Sequence, residues 1–501
     1  MAQFSSFGKN IDSLMAALAG FIIIILFTRH GGIGLCPDGV MYSTAAENLR
    51  ANGKLWDFTN SPLVEFPLFY PVFLSSIMFF TGLNPLAFAP LLNAFLFGTI
   101  IYLSGTIMDQ FLQTSKWYKR ALLSCIALSP CLLEVYSMMW SETLFILLVL
   151  LFMMAMHRYF QSYSRRVLIA GAIIASMAAV TRYAGITIVG FGAILLLLDM
   201  NLTLRRKIGD IIIYSLISPL LLVINLTRNY AVTGIVTGNR VRSITTMGDN
   251  MHYAGSVFYD WLPFFNGHYK GAGLLALLLI AALVFMCVKQ LLVEGRPVTY
   301  EYMAASFSLF YLLFMVVIAS ISKFETLNSR FLSPVFIPLI WACSNGISSL
   351  FKRAGGINKT WWVIGAVIFL SFQYGQLAAD YETWDGVKDA GIPGYTEDPW
   401  KYSATVQFIH KNPFFFRDGY VIYSNAYDAV YFFTGMAGKF LPVTDFQQGV
   451  QNFLNERRCY VIWFNDGDND DLLGLGFLVN TKKMKLLKQF NDGAIYGFGE
   501  L

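Results

Sequence analysis

The chain has 501 residues, 56% hydrophobic and only 13% charged, with a mean hydropathy of +0.55. These values exclude a soluble globular domain and describe a polytopic membrane protein. A net charge of +5 points to nucleic acid only where basic residues gather on one solvated surface; here they form short clusters between apolar runs, so no nucleic-acid partner is expected.

Crossing the hydrocarbon takes about 20 apolar residues. Eleven runs are candidates: 12–29, 88–112, 121–138, 142–157, 166–181, 184–200, 209–227, 271–289, 301–320, 331–350 and 361–378. No A-x-A-like cleavage site follows the first, so it is expected to stay as a span. Segment 68–82 (LFYPVFLSSIMFFTG) is short and carries an early proline, which suits a re-entrant or interfacial helix. With eleven spans, every basic cluster falls on one side: Lys116, Lys119 and Arg120; Arg158, Arg165 and Arg166; Arg205, Arg206 and Lys207; Lys289 and Arg296; Lys352, Arg353 and Lys359. The positive-inside rule makes that side cytoplasmic. The N-terminus is then inside, and the segment after the last span outside.

The expected organisation is a transmembrane module over 1–378, with exterior loops 30–87 and 228–270, followed by a small exterior α/β domain over 379–501. In the latter, GYVIYSNAYDAVYFFTGM, CYVIWF and GAIYGF alternate strand-like and helix-like patterns. The six cysteines show no CxxC or Cys/His ligand spacing, and nothing in the pattern pairs Cys36 with Cys459.

The first exterior loop opens with CPDGVMYSTAAENLRANG, Cys36 to Gly53. Met41, Ala45 and Leu49 recur every four residues, predicting an amphipathic interfacial helix over Gly39–Ala51 that stops at Asn52-Gly53. Asp38 stands at its start, where a carboxylate caps free amides and suits the helix dipole; on spacing alone, capping is the more ordinary reading. Tyr42 reads as an interfacial aromatic anchor. Further along, Arg182 (VTRYAG), Arg228 (LTRNYA), Arg240 and Arg242 (GNRVRS) and Arg330 (NSRFLSP) all fall on the exterior side. Each alone reads as a side chain snorkelling to headgroups. Together, on the side of Asp38, they suit an anionic lipid headgroup such as a phosphate, and an acid beside a phosphate site implies transfer chemistry. Glu65 (VEFPLFYP) is a second exterior acid, read equally as a solvated loop residue. Ser141-Glu142 (WSETLF) reads as a helix cap. Trp140, Trp261 and Trp384 are placed either in interface belts or against a sugar.

The motifs PDGVMYSTAAENLRANG, EFPLFYPVFL, MWSETLFILLVLL, VTRYAGITI and NSRFLSPVFIPLI, in that order over about 30–350, resemble the landmarks of the GT-C superfamily of integral membrane glycosyltransferases, in particular its protein-mannosyltransferase and aminoarabinose-transferase-like branch. The resemblance implies a hexosyl- or pentosyltransferase of the plasma (inner) membrane. Such an enzyme moves a sugar, with inversion, from a polyprenyl-phosphate donor to a lipid, glycan or protein acceptor on the exterior face. It implies Asp38 as general base, Glu65 positioning the acceptor or a metal, and Arg330 first among donor-phosphate ligands, with Arg182, Arg240 and Arg242 beside it and Glu142 orienting the site. The lack of a GxGxxG or Walker loop agrees with a lipid-linked donor. No cofactor is expected. A divalent metal is left undecided by the resemblance, and His252, His268, Asp249 and Asp260 match no compact ligand spacing. The sequence departs from the branch in two places: a single Asp38 replaces the adjacent acidic pair of protein mannosyltransferases, and Glu65-Phe66-Pro67 replaces the lysine before the proline-tyrosine turn of aminoarabinose transferases. A lipid-linked sugar flippase or other transporter, and a polysaccharide polymerase, are the alternatives; the former more often shows broken helices and midplane polar groups.

Overall fold

The structure, a computed structural model, describes residues 10–111, 116–238, 240–262, 267, 269–294, 299–353, 359–444, 446–465 and 471–500. Each of the eleven predicted runs overlaps one helix or more, and 121–138, 209–227 and 331–350 are each divided between helices. Among the described residues six helices are long and apolar enough to cross a membrane: Pro85–Phe111, Glu142–Ser162, Leu204–Thr233, Ala272–Leu292, Tyr300–Ile321 and Val363–Ala390. A seventh candidate is the pair Lys116–Ala127 and Pro130–Ser137, bent by 47°. The bend sits where Pro130 cannot donate a helical bond, and the Ser129 side chain caps Leu132 instead. Phe69–Thr81, with 13 residues, is too short to span alone.

Two compact units make up the chain. The larger comprises Met1–Phe27, Val64–Phe73 and Ala87–Gly386; the smaller comprises Thr28–Leu63, Leu74–Leu86 and Val387–Leu501.

In the larger unit, Glu142–Ser162 packs along Arg165–Thr181, with Gly171 set against Ala155 and Met156, small residues letting two helices approach. Helix Met247–Asp260 opens with a capping box in which Thr246 and Asp249 satisfy each other's backbone amides. These hydrogen bonds from Thr246 hold the Asp249 carboxyl below its ordinary range, which gives this residue a structural task. The same helix meets Ala272–Glu294 so closely that a Cβ on Gly255 lies 1.8 Å from the Ala272 carbonyl oxygen. Gly255→Ala is therefore expected to destabilise the protein by roughly 1–3 kcal/mol through overpacking against backbone. A melting temperature equal to wild type contradicts this close approach.

The smaller unit holds a five-stranded sheet. Its strands are β1 (Val421–Ser424), β2 (Lys439–Phe440), β3 (Cys459–Phe464), β4 (Lys485–Gln489) and β5 (Gly493–Phe498), in the order β2-β1-β3-β5-β4. β1 runs parallel to β2 and β3, whereas β5 is antiparallel to both β3 and β4. Tyr423, Phe453, Val461, Leu472 and Leu478 form its core. Lys482, buried beneath them, donates to the carbonyls of Phe453, Leu454 and Glu456 at 2.8, 3.0 and 2.7 Å, closing the end of helix Gln447–Asn455. All six cysteines are free.

The helix predicted over Gly39–Ala51 is present as Pro37–Asn52, ended by Gly53 at φ 67° with its amide bonded to Leu49. It is not a surface helix: Gly39 to Ala46 are buried without interruption. Tyr42, only 2% exposed, is a core residue rather than an interfacial anchor. The alternation at every fourth residue misled because the residues between, chiefly Ser43 and Thr44, are small enough to be buried too.

Candidate functional site

The sequence arginines fall into distinct settings. In the larger unit, Glu142 is fully buried and its Oε1 accepts from Arg182 Nη1 at 2.6 Å and from Arg330 Nε at 2.5 Å. Arg182 also donates to Ser141 Oγ at 3.0 Å, and the Arg330 guanidinium lies 4.3 Å from the Trp140 ring centroid. This corrects the capping role expected of Ser141-Glu142: the Ser141 side chain makes no cap bond, and both residues hold arginines.

Local sequence explains how these groups converge. The Trp140–Thr143 corner is fixed by Asn93, whose Nδ2 donates to the carbonyls of Tyr136 and Met138 at 3.0 and 2.8 Å, and by Tyr136 Oη bonded to the Thr143 carbonyl at 3.0 Å. Arg182 is extended, one residue past Thr181, because Gly185 lets the following turn approach Ala178; a Cβ there lies 2.2 Å from the Ala178 oxygen. Arg330 sits in a one-turn helix capped by Asn328 and tied by Tyr311 Oη to the Phe331 carbonyl at 3.0 Å. Two guanidiniums face the one carboxylate of Glu142, and Glu134 is also within electrostatic reach of Arg330. Glu142 Oε2 and Arg182 Nε are buried without a protein partner among the described residues.

Arg240 and Arg242 stand elsewhere in this unit, and both are exposed. Arg242 bridges to Ser322 in an antiparallel pairing. Arg240 lies 5.8 Å from the ring centroid of Tyr183, and no described carboxylate pairs with it. Tyr183 Oη donates to the Val64 carbonyl at 3.1 Å and takes a long 3.4 Å bond from Asn229 Nδ2; Asn229 Oδ1 accepts from Arg228 at 3.1 Å. Asn225 Oδ1 accepts the Leu68 amide at 3.2 Å. Glu65 is exposed on the segment so anchored, and Gly238, at φ +74°, packs against it. The structure thus brings together two arginine groups: Arg182 with Arg330 around Glu142, and Arg228 with Arg240 around Tyr183. Asn225, Asn229 and Tyr183 escaped the sequence reading because neutral side chains within apolar runs carry no charge signal; Tyr183, next to Arg182 in VTRYAG, was the one discoverable neighbour.

Asp38 lies in the smaller unit. It is the second residue of helix Pro37–Asn52, half-buried, and the N-cap position belongs to Cys36, which makes no side-chain cap bond. The loop before it is pinned by Tyr395 N to the Leu35 carbonyl at 2.8 Å and by Thr396 Oγ1 to the Ile33 carbonyl at 2.8 Å. Gly394, at φ +124°, is required here: a Cβ lies 2.3 Å from the Leu35 oxygen. After the helix, Phe58 packs between Tyr427 and Tyr431, with ring centroids 5.1 and 5.0 Å away.

Among the described residues no three His, Cys, Asp or Glu side chains converge as a metal site. His268 lies outside the described residues, and His252 is exposed. Trp261 spends its ring nitrogen on Ser329 Oγ at 3.3 Å.

No protein-family model and no curated protein matches the sequence. Solved structures do. ArnT from Cupriavidus metallidurans in the apo state aligns with a TM-score of 0.59 at 12% identity, over 99% of this chain and 98% of that one. ArnT from the same organism bound to undecaprenyl phosphate aligns at 0.56 and 12% identity, over 97% of each chain. An oligosaccharyltransferase from Archaeoglobus fulgidus, in complex with zinc and sulfate, gives 0.54 at 12% identity, over 90% of this chain and 68% of that one. The protein is an integral membrane protein of helical architecture with a small C-terminal sheet. Its fold is that of these ArnT structures, matched over 99% and 97% of the chain.

Proposed function

We propose that the protein is a membrane glycosyltransferase that moves a sugar, with inversion, from a polyprenyl-phosphate donor to an acceptor on the exterior face, with Asp38 as the general base. The observation that carries this reading is the end-to-end fold match to ArnT, one structure of which is bound to undecaprenyl phosphate. The basic clusters on alternate loops support a cytoplasmic N-terminus and an exterior C-terminal domain.

In this mechanism Asp38 accepts the proton of the acceptor hydroxyl as the oxygen attacks the anomeric carbon. The bond from that carbon to the phosphate oxygen breaks, and the electron pair leaves with the lipid phosphate. That leaving group is weakly basic, so one carboxylate suffices where glycosidases need two. The protein must offset the phosphate charge. Arg240, exposed beside Tyr183 and Arg228, is the proposed direct ligand, with Arg242 following it in the same loop. Arg182 and Arg330, already engaged by Glu142, are proposed to supply a fixed positive field. Glu65 is proposed to orient the acceptor.

Arg240→Ala is expected to weaken binding of undecaprenyl phosphate about 10- to 100-fold, the worth of one charge-assisted hydrogen bond. Native mass spectrometry of the detergent-purified protein reads this; unchanged affinity moves the phosphate site away from Arg240. The function itself is tested by incubating the protein with radiolabelled polyprenyl-phosphate sugars and extracted envelope lipids, glycans and proteins. Labelled acceptor is the expected result. Donor carried across a vesicle bilayer without any product indicates a flippase instead.

A further inference from the structure

A third arginine cluster, used neither by the motifs nor by the mechanism above, lies in the larger unit at the other end of helix Arg165–Thr181 from Arg182. Its centre is Asp210, fully buried in helix Leu204–Ile217. Asp210 Oδ1 accepts from Arg165 Nε at 2.9 Å, and Oδ2 accepts from Arg206 Nε at 2.7 Å and from Tyr159 Oη at 2.8 Å. Both arginines are thus held by their inner edge. Arg206 also donates Nη2 to the Tyr163 carbonyl at 2.9 Å, at the end of helix Glu142–Ser162. Arg165 Nη1 and Nη2 and Arg206 Nη1 have no protein partner among the described residues, and the two side chains are 49% and 36% exposed. The Arg165 fork lies across Gly209, where a Cβ stands 3.3 Å from Nη2.

The surface around the cluster extends it in two ways. The acids of segments 158–166 and 199–210 are Asp199 and Asp210 alone, and both are buried, whereas Arg158, Arg166 and Arg205 are exposed. From Arg165, Ile169 and Ile173 follow at every fourth position on one helix face. Leu204, Ile208 and Ile212 do the same on the helix packed beside it, and all five apolar residues are exposed. Both helices run from the basic end into apolar sequence, so each stripe leads from the arginines towards the hydrocarbon.

We propose that this cluster binds the phosphate of an anionic phospholipid, with the Nη edges of Arg165 and Arg206 as the clamp and the apolar stripes beside the acyl chains.

A guanidinium fork matches phosphate oxygens bidentately. The sealed carboxylate of Asp210 fixes the forks from beneath without facing the ligand, so little side-chain order is lost on binding. The positive-inside rule places this end on the cytoplasmic side, where basic pockets between spans take anionic headgroups. That rule accounts for exposed cations such as Arg166, but it does not call for a buried acid that aims two of them. A soluble phosphate makes no use of the apolar stripes. The site is independent of the transferase reading: Leu204–Thr233 is a 30-residue span with ends about 45 Å apart, and Arg240 follows its far end.

Native mass spectrometry of the detergent-purified full-length protein, titrated in parallel with phosphatidylglycerol and phosphatidylcholine, reads the site. Phosphatidylglycerol is expected to bind the more tightly. Arg165→Gln is expected to weaken its binding about 10- to 100-fold, the worth of the charge-assisted bonds. Arg166→Gln removes the same charge one residue away and is expected to cost about 5-fold at most, the worth of one cation near an anionic headgroup. Arg240→Ala is expected to change nothing. Melting temperature is taken on each preparation; where Arg165→Gln melts early, Arg165→Lys, which keeps a counter-ion for Asp210 but no fork, is expected to lose about 10-fold. Equal losses in Arg165→Gln and Arg166→Gln overturn the clamp. Loss in Arg240→Ala alone places the lipid at the donor site and overturns the proposal, as does equal binding of phosphatidylcholine. Displacement of the lipid by inorganic phosphate overturns the lipid in favour of a soluble ligand.

Discussion

Glu142→Gln is expected to destabilise the protein by about 3–5 kcal/mol, the cost of leaving buried charges without their counter-ion. Glu142 is fully buried, and its Oε1 alone accepts from both Arg182 and Arg330. Glutamine keeps the shape and one acceptor but not the charge, so both guanidiniums stay desolvated beside each other. The thermal midpoint of the detergent-purified protein measures this. Because the three residues form one network, their effects are not additive: Glu142→Gln combined with Arg182→Gln is expected to lose less than the separate losses together. A single Glu142→Gln variant that melts as wild type shows that the arginines find compensation elsewhere, and removes Glu142 from the account.

Asp38→Asn is expected to lower transfer by about 10²- to 10⁴-fold, the usual contribution of a positioned base. The same change should leave donor binding intact and cost at most about 1 kcal/mol of stability, the worth of a carboxylate in the first turn of a helix. Asp38 is half-buried and Cys36 occupies the N-cap, so the carboxylate is not the cap that closes the helix. That separation between a large loss of rate and a small loss of stability is what distinguishes chemistry from capping, the two readings that the sequence left open for this residue.

How far the sequence reached differs from feature to feature. Apolar run length located the long apolar helices, because that signal is set by the bilayer and needs no tertiary knowledge, whereas helix Met247–Asp260, inside the predicted loop 228–270, carries no such run. The end of helix Pro37–Asn52 was legible at Asn52-Gly53 because a left-handed C-cap favours glycine. Its burial was not. Tyr42 and Ser43 look like surface residues until Phe58, Tyr395 and the helix Tyr427–Thr434, nearly 400 residues away in the chain, are folded around that unit. Glu142 misled for a similar reason: a Ser-Glu pair at a helix start carries a local capping signal, and only long-range packing brings Arg330 to it. The arginines were visible as charges in the wrong place, but their partners, Tyr183, Asn229 and Trp140, are ordinary residues whose task comes from contact alone.

The most direct measurement of the central claim is single-turnover transfer of labelled sugar from a polyprenyl-phosphate donor by purified protein, wild type beside Asp38→Asn, with melting temperature and donor binding taken on the same preparations. Product with wild type and none with a folded, donor-bound Asp38→Asn is the predicted result. Equal product from the two contradicts the assignment of Asp38 as the base.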